Sequence, residues 1–548
     1  MNATLLMQNV FLQTSYYVML AMLICWGWSA WREWHTFSIA PRIFLQKMFV
    51  GILTAAVLTC IIWKGIGPSY KVLSDESNLM GVARSMFYER TVKHVLTGEY
   101  YYDNLWPLSI DTPKRPFIYP LLVSFFHGIF GYSIDNGFYV NGVTLFLLLC
   151  WVFGIVSAVA GSWIGVAAQL LVAAQPIIGI TATSAGYDTL SLFFQLIMLT
   201  SVWQLLQRVT PQRLLFLWWT GMVLANVRYE TILFLPFLFG CLWMWGLVKW
   251  KDLRVYKWHY FSAPLFCISR VLQMILKAGT YENPPGVPVL GWVNFQKHFP
   301  IFLRGLVDFT FSLPYATILT LLALALIVIE FAWALYCKRR NRTSRWDQRS
   351  LRFAFAVLGV VGGGMVIYLS HHFGRYEHPT QARLFIVFAA VTSLLPLLAL
   401  RWIAPAYLGS AKKWSVVIGA VFFALYFPIA AEGRFVNRLT GIRTANATLQ
   451  FFRSLGTHNI LIVADSPGLF VVENFGAVNF QYVRQNEARV LNNLKRHLYQ
   501  DMYLMETVDY TTKKSKEGVL PSVKAVPVHT FQLSATEYIQ ISRVVLSN

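Results

Sequence analysis

Twelve apolar runs leave this chain few choices of fold. A helix needs about 20 mostly apolar residues to cross a bilayer. Runs of that order lie at 15–31, 48–66, 137–159, 163–180, 189–206, 214–227, 229–248, 261–276, 313–336, 353–369, 380–400 and 414–429. Several are short, and the two that flank Arg228 can be read as one broken hairpin. Only 13% of the 548 residues are charged and 56% are hydrophobic, whereas soluble proteins average about 25% charged. The expected fold is therefore a polytopic α-helical membrane protein with about 12 transmembrane helices. Run 15–31 has no basic flank before it and no small-residue cleavage site after it, so it reads as a retained span.

The net charge of +21 does not point to nucleic acid. Many of the Lys and Arg residues sit in short loops, and no basic stripe is interleaved with stacking aromatics outside the runs. With Arg32, Arg42 and Lys47 placed inside, alternation also puts Arg208, Arg213, Lys249, Lys251, Arg254 and Lys257 inside. The dense cluster from Lys338 to Arg352 follows, as do Arg401, Lys412 and Lys413, as the positive-inside rule requires. Cys25, Cys60, Cys150, Cys241, Cys267 and Cys337 lie in or beside apolar runs, which gives no disulfide framework or zinc knuckle.

Three polar regions then fall outside: 67–136, 279–312 and 432–548. In the second, "YENPPGVPVLGW" is rich in Pro and Gly and reads as irregular. In the third, "ATLQFFRSLG" reads as a helix closed by Gly456, and "NILIVADSPG" and "EYIQISRVVL" read as strands. The expected organisation is a transmembrane domain over 1–431, with a large first extracytoplasmic loop at 67–136. A small extracytoplasmic α/β domain follows over 432–548.

The first loop opens with "SDESNLMGVARSMFYER". Leu79, Val82, Ala83 and Met86 have the spacing of one helical face. Asp75 and Glu76 then stand at the helix start, where the dipole favours anions. Asp75 could be an N-cap with Glu76 in the first turn, or the pair could be chemical. Further on come Gly98-Glu99-Tyr100, "RPFIYPLL" from Arg115, and Phe130-Gly131.

This order of motifs resembles the first outer loop of the GT-C superfamily of membrane glycosyltransferases, which use polyprenyl-phosphate sugars. Protein O-mannosyltransferases and the aminoarabinose transferases of lipid A belong to it. There are departures. Arg115 stands where Lys is usual, with Lys114 beside it, and Phe117 replaces a Pro. Asn78 stands where some members have Arg, with Arg84 further on, and one extra span precedes the usual first helix.

The resemblance implies a GT-C-type fold and a chemistry. Sugar transfer from a lipid phosphate needs a carboxylate near the acceptor and cations at the departing phosphate. Asp75 is the expected catalytic carboxylate, with Glu76 as its helper or a cap. One carboxylate with no covalent intermediate implies inversion. Lys114, Arg115, Arg228, Arg270 and Arg375 are the expected phosphate-binding residues. Arg115 reads either as a bidentate phosphate contact or as a snorkelling interfacial residue. Arg228, two residues before Glu230, reads as donor binding or a structural ion pair. Arg270 lies inside an apolar run and must face protein, water or ligand. Arg375 precedes "YEHPTQARLF" and reads as donor binding or a helix-end cation. Asp188 reads as a helix-start acid, an acceptor contact, or one ligand of a divalent cation shared with Asp75. His371, His372 and His378 lack paired metal-ligand spacing. No cofactor is otherwise implied. Tyr100, Tyr101, Tyr102 and Trp106 read as an interfacial aromatic belt or as sugar-stacking groups.

The expected function is sugar transfer from a polyprenyl-phosphate carrier to a lipid, glycan or protein acceptor. It would take place at the outer face of a bacterial inner membrane. Two alternatives are a flippase of lipid-linked sugars and an inactive assembly subunit. Transporters often show related halves with matching broken helices, and no such symmetry is present here.

Overall fold

Most of the apolar runs fold as helices whose ends define two faces. The computed structural model describes residues 3–34, 41–102, 104–111, 113, 115–249, 262–269, 288–339, 348–403, 408–517 and 523–546. Helices α1 (Ala3–Trp34) and α2 (Pro41–Ile66) lead into the first loop. It contains α3 (Ser74–Glu89), strands β1 (His94–Tyr101) and β2 (Asn104–Asp111), and α4 (Ile118–Phe130). The bundle continues with α5 (Asp135–Ala160), α6 (Ser162–Ala173), α7 (Pro176–Ala182), α8 (Asp188–Gln207) and α9 (Pro211–Val227).

Among the described residues, seven helices are long and apolar enough to cross a membrane. An eighth span results if α6 and α7, bent by 75° at their junction, count as one. The difference from twelve has local causes. The runs on either side of Arg228 form α9 and a shorter segment, Tyr229–Met244, because Arg228 itself is extended (φ −153°, ψ 117°) and interrupts the helix. Residues 270–276 of the run 261–276 lie outside the described residues. The run 380–400 forms a 3-10 turn, Ala382–Phe385, that leads into the helix Ile386–Ile403.

The expected inner end has its own tie. Arg213, at the start of α9, donates to Glu33 of α1 at 3.0 Å and to the Gln204 carbonyl at 2.7 Å. Asp188 lies at the opposite end of α8 from Gln204. The first loop and the acidic end of α8 therefore share one face of the bundle.

In α3, Leu79, Val82, Ala83 and Met86 are all buried, as their helical spacing predicts. The C-terminal region contains the helix Thr440–Ser454, with Gly456 beyond it at φ +68°. Strands β3 (Ile460–Val463), β4 (Gly476–Val478), β5 (Asp501–Asp509), β6 (Lys524–Gln532) and β7 (Glu537–Val545) follow. All seven strands form one sheet in the order β2-β1-β4-β3-β5-β7-β6. Strand β3 lies parallel to β4 and β5, and the other pairings are antiparallel. The first-loop hairpin thus joins the C-terminal strands, through Gly98 opposite Ala477. Gly476 allows this approach, because a Cβ there would lie 2.8 Å from both the Ile460 carbonyl and the Tyr100 nitrogen. Glu99 is buried on β1, where Tyr482 and Arg489 of the C-terminal region each donate to it at 3.1 Å.

Candidate functional site: an alternating row of carboxylates and guanidiniums

The two carboxylates that open α3 have different work. Asp75 and Glu76 both lie in its first turn, and the preceding residue, Leu73, makes no side-chain cap. Glu76 bonds to backbone instead. Its Oε2 accepts the Lys71 and Val72 N–H groups at 2.8 and 2.7 Å, and its Oε1 accepts the Ala185 N–H at 3.0 Å. Burial pushes the Glu76 pKa up, and the three N–H donors pull against that shift. Glu76 therefore fixes the entry to α3 and ties it to the turn before α8.

Asp75 faces side chains. Its Oδ1 accepts from Arg115 Nε at 2.8 Å and also pairs with Arg115 Nη2, and its Oδ2 pairs with Arg383 Nη2. Arg383 Nη1 reaches on to Asp188 Oδ2 at 3.2 Å, and Asp188 Oδ1 takes Arg228 Nη1 at 2.8 Å. Arg228 also pairs with Glu230 at 3.4 Å. The result is a continuous row: Arg115, Asp75, Arg383, Asp188, Arg228. Every carboxylate oxygen of Asp75 and Asp188 faces a guanidinium.

The electrostatics follow from this row. Burial alone would raise the Asp75 pKa, but Arg383 and then Arg115 override it and bring it down to about 2. Burial opposes the charge on Arg115, yet Asp75 beside it holds the proton well above the ordinary arginine value. Exposure separates the cations. The Arg228 side chain is 2% exposed, Arg383 13% and Arg115 26%. Arg228 also lies 5.4 Å from the Tyr368 ring centre and 5.7 Å from that of Tyr187. It is thus the most enclosed of the three, and Arg115 is the cation in the row most open to a ligand.

Asp75, Arg115, Asp188 and Arg228 meet in one cluster. Lys114 and Arg270 lie outside the described residues. Arg375 is half exposed, paired with Glu377 at 2.8 Å and apart from the row. Arg84 faces Asn474 at 3.1 Å and the Tyr88 ring at 4.8 Å, tying α3 to the C-terminal region. Asn78 contacts His94 at 3.0 Å. Tyr101 stacks on Trp106 at 5.9 Å, and Tyr102 is exposed. Arg383 is the residue that sequence reasoning missed. Its signal is an arginine directly abutting the apolar run "LFIVF", eight residues beyond Arg375.

A divalent cation shared by Asp75 and Asp188 does not fit this arrangement, because Arg383 occupies the bridging position and no carboxylate oxygen remains free. Among the described residues no group of three or more His, Cys, Asp or Glu side chains is disposed to hold a metal. His371 and His372 stack on each other at 4.5 Å.

No protein-family model matches the sequence, and no curated protein matches it. Solved structures do resemble it. ArnT from Cupriavidus metallidurans bound to undecaprenyl phosphate matches with a TM-score of 0.50 at 12% identity, over 89% of this chain and 97% of that one. The archaeal oligosaccharyltransferase AglB from Archaeoglobus fulgidus, in complex with an inhibitory peptide and a dolichol-phosphate, matches with a TM-score of 0.45 at 12% identity. That match covers 89% and 74% of the two chains. At this identity the likeness to ArnT is one of architecture: the chain has the fold of the GT-C membrane glycosyltransferases that its first-loop motifs resemble.

Proposed function

We propose that the chain is a glycosyltransferase. It moves a sugar from a polyprenyl-phosphate carrier to a lipid, glycan or protein acceptor at the extracytoplasmic membrane face, with inversion. The observation that carries this reading is the row in which Asp75 is held between Arg115 and Arg383. A buried acid beside a partly open guanidinium, at the end of the bundle away from the basic loops, supplies both groups that phosphate departure requires.

The reaction balances as follows. The acceptor O–H or N–H attacks the anomeric carbon, and its proton passes to Asp75. The bond from the anomeric carbon to the phosphate oxygen breaks, and the electron pair leaves with the lipid phosphate. Arg115 neutralises that charge by bidentate contact.

An acid held at about 2 is a weak base, because base strength follows pKa. The donor relieves this. Its phosphate competes with Asp75 for Arg115, frees Oδ1 and raises the proton affinity of the acid only when substrate is present. Arg228 and Asp188 hold Arg383 in position, and Glu76 holds the backbone on which Asp75 sits.

The test is turnover of a radiolabelled polyprenyl-phosphate sugar by purified wild type and Asp75→Asn. Sugar release by wild type alone is expected. Equal release from both proteins removes Asp75 from the chemistry. Transbilayer movement without bond cleavage favours a flippase instead.

A further inference from the structure

The hairpin of β1 and β2 ends in an aromatic corner that the proposed chemistry does not use. In the sheet register Glu99 stands directly opposite Trp106, so the two side chains share one face, and Tyr101, the next inward position along β1, shares it too. The Trp106 and Tyr101 rings lie near parallel, 16° apart, and the Tyr102 ring stands at 90° to that of Tyr101. Trp106 is half exposed and Tyr102 largely so. Tyr102 holds a φ of +52°, uncommon for a bulky residue, and Asn104 secures the turn by donating to the Tyr102 carbonyl at 2.9 Å. Polar groups are fixed beside the rings. Glu99 is buried and accepts from the Tyr482 hydroxyl and from Arg489 Nη2, each at 3.1 Å. The Arg489 side chain is half exposed, and Glu99 is its hydrogen-bond acceptor among the described residues.

Open ring faces next to fixed hydrogen-bonding groups match the chemistry of a sugar. A pyranose has an apolar C–H face that packs on the negative face of an aromatic ring, and a rim of hydroxyls that a guanidinium can bind. Glu99 balances the charge of Arg489, so the corner suits an uncharged ligand. Lipid fits it less well, because a guanidinium on the same face is costly to place in hydrocarbon. We infer that Trp106, Tyr101 and Tyr102, with Arg489, form a stacking platform for an uncharged oligosaccharide. Strand β1 has eight residues, and its first, His94, contacts Asn78 of α3 at 3.0 Å. The platform therefore stands on the order of 20 Å along the strand from α3, too far for one sugar ring to bridge. The next step rests on the transferase reading: the donor gives a single sugar, so a chain of this reach belongs to the acceptor. The acceptor is then a glycan whose remote sugars lie on the hairpin tip while its growing end lies at Asp75.

The experiment places the full-length protein in phosphatidylcholine nanodiscs and maps side-chain exposure by hydroxyl-radical footprinting, with maltohexaose, cellohexaose, chitohexaose and mannohexaose as probes. Saturation-transfer NMR gives the affinities. Trp106 and Tyr102 should be oxidised in the absence of glycan and protected by at least one hexaose, with no change at Trp292, an exposed aromatic elsewhere. Affinity for that hexaose should fall by about ten-fold or more in Trp106→Ala, as truncation of an anchoring aromatic implies. It should be largely retained in Trp106→Phe, which also shows that the position tolerates change without unfolding. Protection of Trp106 and Tyr102 by the nanodisc alone, relative to detergent, assigns them to the membrane surface and overturns the platform. So does the failure of every hexaose to protect them, or equal affinity in wild type and Trp106→Ala. A single sugar that binds as tightly as its hexaose overturns the extended chain. Turnover with other acceptors but none onto the bound hexaose overturns the acceptor role. Absent turnover on every acceptor, with binding intact, counts against the transferase and leaves the platform standing.

Discussion

Glu76 Oε1 accepts the Ala185 N–H at 3.0 Å, joining the first turn of α3 to the turn ahead of α8. Asp75 directly precedes one side of this joint and Asp188 follows the other, so the two acids that share Arg383 are set relative to each other through backbone. Replacing Glu76 with Gln introduces amide hydrogens where only acceptors fit. We predict a loss of about 1–3 kcal/mol in stability, the usual cost of a buried unmatched polar group. It should appear as a lower thermal midpoint of the purified protein, and an unchanged midpoint refutes the joint.

Asp75→Asn should reduce sugar release by about 10²-fold or more, in line with loss of a general base, while donor binding persists through Arg115. The measurement is single-turnover release alongside donor affinity. Loss of donor binding with normal release from the remaining complex contradicts the assignment.

Arg383 and Arg375 should behave differently. Arg383→Gln leaves Asp75 Oδ2 and Asp188 Oδ2 facing each other without a cation, a change of the kind that costs about 3–5 kcal/mol when a buried pair is broken. Arg375→Gln alters a half-exposed pair with Glu377 and should fall within about 0.5 kcal/mol of wild type. Comparable melting behaviour of the two variants would speak against the bridging role of Arg383.

The pH dependence has a definite sign. The Asp75 pKa is depressed, from 3.8 to about 2, so its contribution is present above the ordinary carboxylate value. It is lost as pH falls through the folded-state value. The amount is on the order of 2 kcal/mol. The melting-temperature gap between wild type and Asp75→Asn should therefore be constant near neutral pH and close between about pH 4 and pH 2. A gap that closes instead near pH 6 is incompatible with two guanidinium partners.

Gly476→Val should loosen the sheet. Its side chain would meet the Ile460 carbonyl and the Tyr100 nitrogen, and overpacking of this kind costs about 1–3 kcal/mol. Limited proteolysis should then cut the first-loop hairpin faster than in wild type. Identical digestion patterns count against the β1–β4 junction.

Asp75 was legible through the order of first-loop motifs around it, since its spacing alone reads equally as a helix cap. Arg115 and Arg228 were legible as charges at apolar boundaries. Arg383 was hidden by distance, standing 308 residues from Asp75, and local pattern carries no information about such pairing. Arg375, in the same stretch, offered an equal charge in a more familiar motif. The break at Arg228 could be read as a hairpin because charge interrupts the run. The bend between α6 and α7 could not, because both sides of Gln175-Pro176 are apolar. The late strands could be read one by one, but their union with β1 and β2 rests on a long-range contact at Gly98 and Ala477.

That union has a consequence for biogenesis. The hairpin emerges early from the ribosome, while β4, its neighbour in the sheet, is made only after the last long apolar helix has been inserted. Until then β1 has an open edge, and α3 lacks the support that Asn474 gives Arg84. Maturation is therefore last-in: Asp75 and its helix are laid down near the start of translation and locked only when the last strands have been made.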